Sequence, residues 1–196
     1  MRADQISRFP VPDINSLPDD LRDRLLKVQE KSGFIPNVFL GFIHRPEEFR
    51  AFFNYHDALM LKDSGLSKGE REMIVVATSG INECIYCVVA HGAILRVREK
   101  NTSISEQLAT NYKKAEITPR QRTMLDFAVK VSQDAQNISK KDFEVLEDQG
   151  FTQEDIWDIG SIAALFALSN RIANMSGIMP NDEFYAMGRT LKNETD

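Results

Sequence analysis

The sequence lacks the features that are typical of disulfide-stabilised and of membrane-spanning proteins. Its 196 residues include two cysteines, and hydrophobic residues make up 42% of the chain. A chain of this length buries enough apolar surface to fold without a disulfide. No apolar run is long enough to cross a bilayer. We therefore expect a globular protein that does not span a membrane.

Basic residues are fewer than acidic ones. The chain has 24 Lys and Arg against 29 Asp and Glu, with a net charge of -5 and a pI of about 5.3. Because nucleic acids and anionic membranes are bound by clustered basic side chains, we expect neither as a partner. The N-terminal residues lack the pattern of a secretion signal, so we predict a cytoplasmic protein. In that reducing compartment a cysteine pair is not expected to be a permanent disulfide.

Signals for β-strands are missing as well. Alternating apolar runs and Asn-Gly or Asp-Gly turns are absent, whereas apolar residues recur at helical spacing. We predict an all-α, single-domain helical bundle of about seven to eight helices over residues 17–196, preceded by an extended arm over 1–16. The predicted helices cover residues 18–31, 46–62, 68–81, 84–99, 119–136, 139–149, 153–175 and 180–191. Residues 34–44 are expected to be an apolar link, and 101–117 to hold a short helix at most.

One helical hairpin, over about residues 67–99, carries the residues with reactive side chains. Cys84, Cys87 and His91 follow one another at spacings of three and four. Residues at these spacings share a helix face, and the two sulfurs are close enough to form a disulfide. A thiol reacts as thiolate, which a helix N-terminus and a nearby imidazole both favour. The pattern therefore indicates thiol chemistry.

A carboxylate beside the imidazole would orient it or relay protons. Glu72 is one candidate, because it lies on the preceding helix in a mostly apolar stretch, and Glu83, next to the helix start, is the other. Two alternatives remain open. In the first, the cysteines are small buried hydrophobic residues beside a structural histidine. In the second, a zinc ion is held by Cys84, Cys87, His91 and a carboxylate. No Cys or His follows His91 to supply the second ligand pair of a usual zinc site.

The segment resembles the alkylhydroperoxidase D-like family of the carboxymuconolactone decarboxylase superfamily, and within it the peroxidase-related branch. The family pattern is a glutamate, eleven residues and then Cys-x-x-Cys-x-x-x-His, which Glu72, Cys84, Cys87 and His91 match. The similarity covers about residues 20–190, and its specific motif lies within 66–92. In place of a second histidine that some members carry between the cysteines, this chain has Tyr86.

The resemblance implies thiol-dependent reduction of hydroperoxides by an all-helical homo-trimer or homo-hexamer, without a cofactor. It implies that Cys87 attacks the peroxide, that Cys84 resolves the sulfenic acid as a disulfide, and that His91 and Glu72 relay the proton. An external dithiol, in the family sometimes a lipoyl-bearing protein, then reduces the disulfide. Proximity to the helix N-terminus favours Cys84 as the more acidic thiol, so the sequence leaves the identity of the attacking cysteine open. A decarboxylase-like enzyme and a non-catalytic oligomer with a structural metal are the alternatives.

Other residues are interpreted as structural. His44 and His56 are expected at the surface or in structural positions, and Trp157 is expected in the core. Asn170 is expected to make a hydrogen bond between helices. Five phenylalanines are expected in the core or at a subunit contact, namely Phe39, Phe42, Phe49, Phe52 and Phe53.

Overall fold

The structure, a computed structural model, describes residues 6–189 and confirms the all-α class. No strand occurs in these residues, and they form ten α-helices together with three single turns of 3-10 helix. The helices are α1 Asp19–Ser32, α2 Asn37–Phe42, α3 Pro46–Met60, α4 Lys68–Ile81, α5 Ile85–Glu99, α6 Ile104–Asn111, α7 Pro119–Gln133, α8 Lys140–Asp148, α9 Gln153–Ser176 and α10 Asp182–Ala186.

The differences from the predicted boundaries lie at helix ends and in one link. The link over 34–44 contains α2, which at six residues is too short to show a helical period. The helix expected over 119–136 ends at Gln133, because Asp134 leaves the helical conformation with φ −145°. The last helix ends at Ala186, and residues 190 and 191 of the predicted 180–191 lie outside the described range. Residues 1–5 of the predicted arm lie outside it too, and Ile14–Ser16 form a 3-10 turn.

The hairpin of α4 and α5 is closed by a turn of three residues. At the start of α4, Ser67 and Glu70 form a capping box, with both backbone-to-side-chain hydrogen bonds present. Glu83 has φ 53°, a left-handed conformation that turns the chain. Cys84 is the N-cap of α5 rather than its first residue. The turn thus sets the antiparallel register that brings α4 and α5 face to face.

The buried apolar side chains form two clusters. One centres on α4, α7 and α9, and the other gathers α1, α2, α3, the start of α5 and α10. Both cysteines belong to the second cluster, together with Phe42, Phe49 and Phe53. The predicted core position of Trp157 is wrong, because its side chain is 70% exposed on α9. A sequence pattern does not show what packs against a helix face, so it does not distinguish an indole on the outer face from one in the core.

Candidate active site

The predicted relay pair meets across the α4–α5 hairpin. Nδ1 of His91 lies 2.7 Å from Oε2 of Glu72, and their side chains are 14% and 11% exposed. A carboxylate accepts hydrogen bonds, so Nδ1 is the donor in this pair and Nε2 is the nitrogen left free. Glu83, the other carboxylate that the sequence offered, is an exposed turn residue. The structure therefore selects Glu72 as the partner of His91.

The two cysteines lie at the N-terminus of α5, both free and both buried. Sγ of Cys84 accepts a hydrogen bond from the backbone N–H of Cys87 at 3.4 Å, in the position that a serine or threonine cap usually takes. The thiol of Cys87 lies 3.9 Å from Oγ of Ser169 on α9. Cys84 is thus placed where the helix dipole and a free N–H both stabilise an anion.

The two thiols differ in acidity. The hydrogen bond from the Cys87 thiol, helped by the Cys87 backbone N–H, lowers the pKa of Cys84 to about 7. The same hydrogen bond and burial raise the pKa of Cys87 well above its ordinary value. When one proton leaves the pair, the negative charge therefore falls on Cys84 and the remaining proton stays on Cys87.

Asn170 connects this pair to α9. Its side-chain NH2 donates to Oγ of Ser79 at 2.9 Å, and its carbonyl accepts from the side chain of Asn82 at 2.9 Å. The expected hydrogen bond between helices is thereby confirmed. The Asn170 side chain also lowers the pKa of both cysteines. This second role was missed, because no local pattern connects Asn170 with the cysteines.

A cavity of about 140 Å³ opens beside these groups. We call it the inner cavity. Its polar lining residues are His56, Tyr86, Cys87, His91 and Ser169, and its other walls are apolar side chains from α2, α3, α5, α9 and α10. Cys87 lies in this lining and Cys84 does not. Cys87, the sulfur that keeps the remaining proton, is thus the one that a small solute reaches.

Comparison with known proteins places the chain in a family. It is similar to an uncharacterised peroxidase-related protein from Ralstonia eutropha JMP134 described as an alkylhydroperoxidase AhpD core, at 63% identity over 97% of this chain and 100% of that chain, with a TM-score of 0.96. An uncharacterised peroxidase-related protein from Silicibacter sp. TM1040 is 39% identical over 96% of this chain and 99% of that chain, with a TM-score of 0.91. The chain belongs to the peroxidase-related AhpD-like family.

One further comparison agrees with this membership, and another shows the same fold. The model of the carboxymuconolactone decarboxylase family matches residues 46–110 of the AhpD-like chain. The debrominase Bmp8 in complex with 2,3,4-tribromopyrrole shares the fold at 17% identity, with a TM-score of 0.75 over 93% of this chain and 94% of that chain. No curated protein matches the chain. The family is one of enzymes.

Tyr86 occupies the position between the cysteines of this AhpD-like protein. Its hydroxyl oxygen accepts a hydrogen bond from the backbone N–H of Val38 at 3.2 Å. Burial raises its pKa above the ordinary value, so the phenol stays neutral at physiological pH. Tyr86 therefore anchors α2 against α5 and is not a base.

His56 is a residue of the AhpD-like site that sequence reasoning did not connect with the cysteines. It was expected at the surface or in a structural position, and it also lines the inner cavity. Its Nδ1 lies 3.0 Å from Oδ1 of Asp57. Since His56 lies on α3, far from the Cys-x-x-Cys segment along the chain, no local pattern could connect them.

A second, larger cavity of about 710 Å³ lies outside the site. We call it the outer cavity. It is bounded by α2, α3 and α9 and includes His44, but none of the four predicted site residues lines it. Phe52 lines both cavities and forms part of the wall between them.

The structure offers nothing in favour of a metal centre. Among residues 6–189, no group of three or more His, Cys, Asp or Glu side chains is arranged to hold a metal ion. Within the same range, no helix combines the length and apolar character needed to cross a membrane.

Proposed function

We propose that this protein reduces small hydroperoxides with the Cys84–Cys87 pair and uses Glu72 and His91 as a proton relay. The observation that carries the proposal is the hydrogen bond between Glu72 and His91 beside a cavity that has Cys87 in its wall. A carboxylate that holds Nδ1 leaves Nε2 free to take the proton of a thiol. Similarity to proteins described as peroxidase-related supports the same chemistry.

The size of the inner cavity indicates the substrate class. A water molecule occupies about 30 Å³ in the liquid, so the inner cavity of about 140 Å³ holds roughly five waters. Hydrogen peroxide and short-chain alkyl hydroperoxides fit this volume, and its mostly apolar wall suits a small alkyl group.

Cys87 is the attacking residue in this proposal, because it reaches the cavity. His91 first takes one proton from the thiol pair, and the remaining shared proton moves to Cys84 as Cys87 attacks. The bond between Cys87 Sγ and the peroxide oxygen forms, the O–O bond breaks, and the departing oxygen is protonated to alcohol or water. Cys87 is then a sulfenic acid.

The second step closes the disulfide. Cys84 Sγ attacks Cys87 Sγ, the S–S bond forms, and the S–O bond breaks. The departing hydroxide takes the proton of Cys84 and leaves as water. The two thiols have then supplied both electrons of the reduction. An external dithiol, such as a lipoyl-bearing protein, returns the pair to the reduced state by exchange.

We also propose that copies of the chain associate as a trimer or hexamer through the outer face of α9. Trp157, Leu168 and Met175 are 70%, 51% and 59% exposed. Their spacings of eleven and seven residues place them on one face of the helix. A long apolar face of this kind is suited to packing against the same face of another copy.

The peroxidase proposal is tested with reduced protein, dithiothreitol and tert-butyl hydroperoxide. Wild-type protein should consume the peroxide, Cys87→Ser should not, and Cys84→Ser should stop at a sulfenic acid that dimedone traps. Peroxide consumption by Cys87→Ser at the wild-type rate would reject the proposal. The decarboxylase alternative makes the opposite prediction, because its chemistry needs no cysteine pair and survives thiol alkylation.

A further inference from the structure

Two histidine–carboxylate pairs flank the inner cavity. One is His91 with Glu72, and the other is His56 with Asp57, in which Nδ1 and Oδ1 are 3.0 Å apart. Both imidazoles lie edge-on to the ring of Phe166, with centroid distances of 4.7 Å for His91 and 6.2 Å for His56. The proposed mechanism uses the first pair and leaves the second without a role.

The contacts of Asp57 determine which nitrogen of His56 is free. The hydrogen bond from His56 and the charge of Arg24 lower the pKa of Asp57, and Arg24 Nη2 lies 2.7 Å from its Oδ2. Asp57 is therefore an ionised acceptor, so Nδ1 of His56 carries a proton. Nε2 remains as the nitrogen available to a molecule in the cavity that His56 lines.

We propose that His56 is the general acid that protonates the oxygen leaving from the hydroperoxide. This inference rests on the proposed peroxidase function and adds a group to it. Breaking the O–O bond releases hydroxide or an alkoxide, a strong base that leaves readily only when it is protonated. A positioned acid that donates its proton during this step typically contributes about 10²–10⁴-fold in rate.

The position of the two histidines assigns their roles. His91 is one turn from Cys87 on the same helix, and the charge that it gains on taking a proton favours the Cys84 thiolate, so it serves the sulfurs. His56 reaches the cavity from α3, a different helix from the one that carries the thiols. Its side chain is 23% exposed, which lets it recover a proton from solvent after each turnover.

The protons balance with this addition. The imidazolium of His56 gives its Nε2 proton to the departing oxygen as the O–O bond breaks, and the product leaves as alcohol or water. His56 is then neutral, with Nδ1 still donating to Asp57, and solvent restores the lost proton. The proton that His91 took from the thiol pair returns to solvent separately, so each histidine ends the cycle as it began.

The test compares two oxidants that differ in the oxygen they release. The alkoxide from tert-butyl hydroperoxide needs a proton, whereas peroxyacetic acid releases acetate, whose carboxyl group has a pKa of about 4. We expect His56→Gln to slow thiol oxidation by the hydroperoxide about 10²-fold and to leave oxidation by the peracid close to the wild-type rate. The rate is measured in a single turnover, by acid quench and titration of the remaining thiols in denaturant.

His44→Gln is the matched control, because His44 lines the outer cavity and bonds only to the carbonyl of Gly41. It should match wild type with both oxidants. An equal loss with both oxidants in His56→Gln would assign His56 a structural role, and no loss with either would also overturn the inference. A wild-type protein inert to both oxidants is a different result, because it rejects the peroxidase function itself.

Discussion

Glu72 and His91 are joined at 2.7 Å although 18 residues and a turn separate them along the chain. The bond fixes the tautomer of the imidazole and leaves Nε2 as its free nitrogen. Glu72 itself is a buried residue of α4. A buried carboxylate of this kind is held in place by its partner, since an unpaired charge there would be costly.

Replacing Glu72 by glutamine should therefore impair peroxide reduction without unfolding the protein. Removing a group that orients a functional histidine typically costs about 10–100-fold, and we expect a loss of that size in the rate with tert-butyl hydroperoxide. Glu83→Gln is the control, because Glu83 is exposed and should leave the rate unchanged. Wild-type activity in Glu72→Gln would remove Glu72 from the relay.

Replacing Asn170 by alanine should make Cys84 less acidic. The Asn170 side chain lowers the pKa of the Cys84 thiol, which lies at about 7 in the folded protein. Without this donor the pKa rises, so less thiolate is present at pH 7. A pH titration of thiolate ultraviolet absorbance in the reduced protein measures the shift. Asn54→Ala, an exposed amide on α3, is the control, and an unchanged titration in Asn170→Ala would contradict the role of Asn170.

Replacing Phe52 by alanine should relax substrate selection. Phe52 lines both the inner and the outer cavity, so its loss joins the two spaces. The ratio of kcat/KM for cumene hydroperoxide to that for hydrogen peroxide should rise, by about tenfold if the added space admits the aromatic group. Tyr55→Ala enlarges only the outer cavity and should leave the ratio unchanged. An unchanged ratio in Phe52→Ala would show that this wall does not limit access.

Placing a charge on the outer face of α9 should weaken self-association. Leu168 is 51% exposed, so Leu168→Glu leaves the core intact but puts a carboxylate into the proposed contact. Sedimentation velocity should show a smaller species for this variant than for wild type. Val145→Glu, at an equally exposed apolar position on α8, should leave the assembly unchanged. A monomeric wild-type protein, or a Leu168→Glu variant with unchanged sedimentation, would reject the interface.

Replacing Asp142 by alanine should destabilise the protein in a pH-dependent manner. Its carboxylate lies 2.6 Å from Nζ of Lys130 on α7 and accepts from the backbone N–H of Ser139 at 2.7 Å. The contact with Lys130 is the main cause that lowers the pKa of Asp142 from 3.8 to about 2. A lowered pKa gives stability that is fully present above pH 3.8 and lost as the pH falls through about 2.

We therefore expect the Asp142→Ala variant to be less stable by about 1 kcal/mol at pH 7, as for the loss of a helix cap, and by nearly nothing below pH 2. Urea unfolding across this range measures the difference. Glu144→Gln removes a far more exposed pair with Lys140 and should change stability little at any pH. A constant difference at all pH values would mean that the charge of Asp142 is not the source of the stability.

The sequence by itself determined the helical class and the chemistry of one hairpin. Capping boxes such as Ser67–Glu70 act within four residues, and helical spacing places Cys84, Cys87 and His91 on one face whatever surrounds them. These are local effects of backbone geometry. The family resemblance rested on the same local motif, extended by one residue of the preceding helix.

Only the tertiary structure decided which groups from other helices meet that face. Glu72 was selected over Glu83 by the turn between α4 and α5, and His56 was brought to the cavity by the packing of α3 against α9. Trp157 was placed outside for the same reason, since burial depends on what packs against a helix. Contacts between distant segments arise from the packing of whole helix faces, and a local sequence pattern does not show which other segment packs against it.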